Sequence, residues 1–196
     1  MFANRFTAFI DACTLASVLR RNLLLTLAEA EFFRVRWSRE VLDETERAIQ
    51  RILSDSGKGD AQERASAACR SMERAFEEAM VVEYDEFMCV CEGWPDKDDV
   101  HVVAAALKTQ ASTIVTENIK DFPADRLWLL NMEVKTADAF IADTISLDPG
   151  KAVAAIKRMR ERLKRKEMNA AKLLLEMEAA GLTETVDVLR PYVESL

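Results

Sequence analysis

The chain has 196 residues, about half of them hydrophobic, enough to bury a core and to set its size at one domain with an appendage. No apolar run approaches the roughly 18–20 residues that span a bilayer, and the start of the chain lacks a signal peptide's basic opening and long apolar centre, so a cytoplasmic, non-membrane protein is expected. Four cysteines form neither a disulfide framework nor a zinc-ligand pattern, and His101, the single histidine, excludes mechanisms that need two imidazoles. The net charge of −7 is uneven: 17 basic residues against 27 acidic in 1–150, ten against seven beyond. An acidic body suits carboxylates gathered round a hard cation better than it suits a general nucleic-acid coat.

Along the chain, the apolar run Thr7 to Ile10 ends at Asp11, and Leu15, Val18, Leu19, Leu23 and Leu27 then recur at helical spacing, so a strand, a turn and a helix are expected. A second helix is expected over 39–53, with Ser38 as its N-cap and Val41, Leu42, Thr45, Ile49 and Ile52 inward. Residues 54–60 form a polar loop, 61–79 a further helix and 80–82 a brief strand. Pro95-Asp96 opens a helix whose Val102, Val103, Ala106 and Leu107 face inward, and 113–116 is the next strand. This alternation implies an α/β fold with a mostly parallel central sheet covered by helices on both faces, in which function collects at the carboxyl ends of the strands. A boundary falls near Leu147-Asp148-Pro149-Gly150, dividing a 1–147 body from a 148–196 helical extension. In the extension three apolar stripes (Val153, Ile156, Met159, Leu163; Ala171, Leu174, Leu175; Leu182, Val186, Leu189, Val193) predict short packed helices.

The acids stand at telling places. Asp11 follows a strand, although the position also suits a helix N-cap. Glu44 lies at the margin of its helix's inward face, where a carboxylate needs a cation or a hydrogen-bond partner. Asp96, Asp98 and Asp99 crowd the start of a helix, where the macrodipole accounts for one or two of them but not three. Asp99 shares the inward side of Val102 and Val103. Asp121 follows the strand that contains Ile114 and Val115. Carboxylates converging from these positions would raise one another's pKa unless a divalent ion sat between them, and oxygen-only ligation points to Mg²⁺ or Mn²⁺ and to attack of water on a phosphodiester.

Phe9-Ile10-Asp11-Ala12-Cys13-Thr14-Leu15, Trp37-Ser38 leading to Val41-Leu42-Asp43-Glu44, the run from Pro95 to Ala106 and the run from Ile114 to Pro123 resemble, in order and spacing, the successive motifs of PIN-domain nucleases. The resemblance covers roughly residues 5–145 and is nearest to bacterial VapC-type toxins of toxin–antitoxin pairs. It implies a PIN-like α/β/α sandwich and a metal-dependent endoribonuclease restrained by a cognate antitoxin, with a homodimer as a further option. It also implies an acidic set of Asp11, Glu44, Asp99 and Asp121 holding Mg²⁺ or Mn²⁺, supported by Thr116 and Asn118. One departure is Cys13, where many PIN domains carry Asn, which leaves a hydrogen bond to be lost or supplied by Thr14.

The basic run Lys157, Arg158, Arg160, Arg162, Lys164, Arg165, Lys166 reads either as the solvated back of a helix or as a surface for RNA phosphates, with Arg158, Arg162 and Arg165 as contacts. Arg20, Arg21, Lys97 and Lys120 are further cations that could reach the site. A dehalogenase-like phosphatase would need a second Asp where Cys13 stands, and a receiver domain would need an Asp after a third strand with a placed Lys. The rival from another class is a PIN-like module that binds RNA or protein without cutting.

Overall fold

In the computed structural model, which describes residues 6–57, 59–163 and 168–196, five strands form one all-parallel sheet. They are β1 (Thr7–Ile10), β2 (Arg34–Ser38), β3 (Met80–Val81), β4 (Thr113–Val115) and β5 (Glu133–Lys135), in the order β3-β2-β1-β4-β5. In register, Phe9 on β1 lies between Arg36 on β2 and Ile114 on β4. The chain runs outward from β1 through β2 to β3, then returns to the other side of β1 with β4. The carboxyl ends of β1 and β4 are therefore neighbours whose connections leave in opposite directions, and that divergence opens a crevice. Ala8, Phe9, Ile10, Ile114 and Val115 are fully buried, as strands covered on both faces must be.

The helix expected after β1 is two helices, α1 (Ala12–Ala16) and α2 (Val18–Glu29), parted by extended backbone at Ser17. The break frees carbonyls at the end of α1, and buried Arg21 satisfies them, donating to Leu15 O at 2.5 Å and Ala16 O at 3.4 Å. Val18, beside the break, is exposed. Helix α3 (Arg39–Asp55) starts on Ser38, whose hydroxyl accepts from Val41 N as expected; Val41, Leu42, Thr45 and Ile49 are buried, and Ile52 faces solvent. Helix α4 (Ala61–Ala75) stops short of the expected residue 79, because Phe76 leaves helical backbone and a 3-10 turn over Glu77–Ala79 leads into β3. Helix α5 (Val100–Lys108) begins later than Pro95, so Asp96 and Asp98 lie in the preceding loop and Asp99 is the N-cap.

Helices α6 (Ala124–Leu129) and α7 (Ala137–Leu147) flank β5. Beyond them come α8 (Pro149–Arg162), α9 (Ala170–Ala179) and α10 (Thr183–Leu189). Asp148 caps α8 by accepting from Lys151 N, with Pro149 at the first turn. α8 packs on α2, α10 on α7 and α9 on α10, so the C-terminal helices bury their faces partly against the body. Val153, Ile156 and Met159 are buried as the stripe requires and Leu163 partly so, while in α9 Leu173, Leu174 and Met177 face inward and Leu175 is exposed. Gly181 at φ +79 ends α9, the left-handed geometry glycine adopts without steric cost. None of the described helices is long and apolar enough to cross a membrane.

Candidate metal centre

Asp11 stands at the carboxyl end of β1 and is 6 % exposed. It is the N-cap of α1 as well, so both readings of the residue hold: Oδ1 accepts from Ala12 N at 2.6 Å. Its Oδ2 accepts from Thr116 Oγ1 at 2.6 Å and from Cys13 Sγ at 3.0 Å. Thr116 is the first residue past β4, so this contact spans the crevice between the diverging strands. Cys13 supplies the bond that its identity left open, and Thr14 does not, since Thr14 Oγ1 turns away to Val115 O at 3.4 Å. The Cys13 sulfur also lies 3.2 Å from Thr116 Oγ1 and accepts from Glu117 N at 3.3 Å. Burial, followed by the Asp11 charge, pushes the Cys13 thiol up to about 11, so it stays protonated and remains a donor.

Asp96, Asp99 and Asp121 each offer a carboxylate oxygen within 4.8 Å of the others. Mg²⁺ and Mn²⁺ bind oxygens at about 2.0–2.2 Å, so ligands of one ion lie at most about 4.4 Å apart, and this all-oxygen set needs at most a few tenths of an ångström of closure to hold such an ion. Burial, and then the charges of Asp11, Asp96 and Asp121, lift the Asp99 carboxyl to about 7, while His101 opposes the rise. Asp11 is thus electrically part of the same cluster. Asp121 sits in a 3-10 turn over Ile119–Asp121, and its backbone oxygen accepts from the Trp94 indole at 3.1 Å, which ties the β4 loop to the segment before Asp96. Asp96 accepts from Asp98 N at 2.9 Å. Sequence reasoning left Asp96 out of the acidic set because it placed the residue in a helix's first turn. The signal was the surplus of three acids, which the helix dipole could not absorb.

Glu44 is placed differently from the other three expected acids. Its Oε1 lies 3.5 Å from His101 Nε2 and 3.9 Å from Arg47, in a groove that Glu40, Tyr84, Lys97 and Asp98 also line. Burial disfavours charge on His101, but the hydrogen bond and charge of Glu44, with Glu40 and Asp11 beyond, outweigh it and raise its pKa. The lone histidine, assigned no part from sequence, thus pairs with Glu44 and lies within the field of Asp11 and Asp99.

Asn118 is exposed, and its backbone N–H donates to Thr116 Oγ1 at 3.1 Å. Of the cations proposed near the site, Lys97 and Lys120 are exposed, but Arg20 and Arg21 are engaged within the protein: Arg21 with α1, Arg20 with Glu117 at 3.3 Å. On α8, Lys157, Arg158 and Arg162 are exposed, and Arg162 also bonds Glu29 at 3.1 Å; Arg165 lies outside the described residues.

Comparison with protein families gives two matches: a PIN domain over residues 7–120 and a VapC50 C-terminal domain over residues 137–191. No curated protein and no solved structure matches the chain. The first match takes in Asp11, Asp99 and the crevice between β1 and β4, and the second takes in α7 to α10, so the chain belongs to the PIN-domain family and is similar, within it, to the VapC-type toxins.

Proposed function

We propose that this toxin-type nuclease is a divalent-metal-dependent endoribonuclease, the toxin of a toxin–antitoxin pair. The observation that carries the reading is the close approach of Asp96, Asp99 and Asp121 beside Asp11, with an Asp99 carboxyl that burial and its neighbours' charges hold at about 7. Such mutual repulsion is costly without a cation. Asp11, Asp99 and Asp121, with Asp96 added, are the residues that would hold Mg²⁺ or Mn²⁺. Bound there, the ion would supply Lewis-acid activation of water and of the phosphodiester.

The chain's own groups prepare that site. Thr116 and Cys13 fix the Asp11 carboxylate in one orientation, and Trp94 fixes the loop that carries Asp121. His101 holds Glu44 in the adjoining groove. RNA is the proposed substrate and a small cognate antitoxin the proposed partner. A single-stranded RNA should be cut in Mg²⁺ or Mn²⁺, left intact in excess EDTA and left intact by Asp99→Asn. Undiminished cutting in EDTA, by a preparation free of contaminating ribonuclease, would refute the mechanism. RNA binding without cutting would replace it with a silent RNA-binding module.

A further inference from the structure

Glu117, the residue after Thr116, makes contacts in three directions. Its backbone N–H donates to Cys13 Sγ at 3.3 Å, on the metal side of the loop. Its Oε1 accepts from Ala137 N at 3.1 Å, at the N-terminus of α7. Its Oε2 lies 3.3 Å from Arg20 Nη2, and that same nitrogen donates to Ala180 O at 3.1 Å, at the C-terminus of α9. Each charge meets the helix end whose dipole favours it, the carboxylate at an N-terminus and the guanidinium at a C-terminus. Arg20 and Glu117 are both partly buried, so water screens the pair less than it would at the surface.

We propose that Arg20 and Glu117 are positioning residues through which the C-terminal helices hold the Thr116–Asn118 loop, and hence Asp11, in the geometry of the metal centre. The path is continuous: α9 by Ala180 O to Arg20, Arg20 to Glu117, Glu117 to Cys13, and Cys13 with Thr116 to the Asp11 carboxylate. α7 joins it at Ala137. The helical unit is on this account a structural part of the site and not a separable appendage. Its bearing on metal binding rests on the metal-centre reading above, but its bearing on the loop does not.

The test uses the full chain with Arg20→Met, Glu117→Gln, Arg20→Lys and the Arg20→Met/Glu117→Gln double variant. Hydrogen exchange at the Glu117 and Asn118 amides is followed in metal-free protein, and Mn²⁺ binding is measured by calorimetry. Breaking a charged hydrogen bond should speed exchange at these two amides about tenfold. Mn²⁺ affinity should fall several-fold, and the double variant should lose no more than the worse single one, since both changes cut one path. Arg20→Lys, which keeps the charge but ends in a shorter side chain without the planar guanidinium that aims one nitrogen at both Glu117 and Ala180, should lie between wild type and Arg20→Met. If Arg20→Met fails to fold, Glu117→Gln and Arg20→Lys carry the same test. Lowered melting temperatures with exchange at Glu117 and Asn118 as slow as in wild type would show the network to be structural only and would overturn the proposal. A wild-type protein that binds no Mn²⁺ would sink the metal-centre reading, and the exchange rates would still decide this one.

Discussion

Asp99 sets the pH behaviour of the site. Its carboxyl is raised from 3.8 to about 7, so between these values the folded chain holds a proton that the unfolded chain has released. Stability contributed by this group is therefore present at low pH and lost as pH rises through that window. Metal-free wild type should lose stability relative to Asp99→Asn as pH climbs from about 4 to about 7, with the gap constant above; parallel melting curves at pH 5 and pH 8 would contradict this. Because a divalent ion requires the ionised form, its binding should release protons near pH 6.5, and its affinity should weaken as pH falls below about 7. Thr116→Val removes the 2.6 Å bond to buried Asp11 and should cost about 1–3 kcal/mol in urea denaturation, whereas Thr14→Val, whose bond is longer and lies off the site, should cost less. At this scale the sequence disclosed the acids that follow strands, since Asp11 and Asp121 are marked by apolar runs before them. It did not disclose the approach of Asp96 to Asp99 or the pairing of His101 with Glu44, because both depend on where α5 begins and on what α3 presents to it.

Among the elements, α10 shows how a helix can be started by a residue far from it in sequence. Its N-cap position is Leu182, which offers no side-chain acceptor; Asp138 on α7 takes the work, accepting from Glu184 N at 2.9 Å and Thr185 N at 2.8 Å. Asp138→Ala should lower stability by about 0.5–2 kcal/mol and raise hydrogen exchange in α10 ahead of the sheet, while Thr183→Ala, at the first residue of α10, should cost less. The strands β1 and β4 and the helix α3 were legible, since each has a run of apolar residues at its own period and Ser38 marks the start of α3. β2 was not legible, although it lies inside the sheet: Arg34 and Arg36 alternate with Val35 and Trp37 over only five residues, and Arg36, half-buried, bonds Val35 O. The break at Ser17 was hidden for a different reason, because Arg21, which repairs the freed carbonyls, reads in sequence as one more surface cation.

For the molecule as a whole, charge is divided between an acidic cluster at the sheet's carboxyl edge and exposed cations on α8. If Arg158 and Arg162 touch RNA phosphates, reversing both to Glu should flatten the salt dependence of RNA binding by a log–log slope of about 0.7 per lost contact while leaving Mn²⁺ affinity unchanged. Wild-type affinity at low salt in that variant would return the α8 surface to a solvated helix face. The strand order has a consequence in time as well as in space. Asp11 and Thr116 touch across 105 positions of sequence, and Asp121 follows five residues later. At about 5–20 residues per second, a ribosome that has just made Asp11 needs roughly 5–20 s to supply the other side of the crevice. Throughout that interval the growing chain carries Asp11 without Thr116 or Asp121, so on the proposed mechanism nascent chains arrested before β4 should cut no RNA even in Mg²⁺. A cell making this protein is thereby given a delay, written into the order of its strands, between starting the chain and closing the crevice.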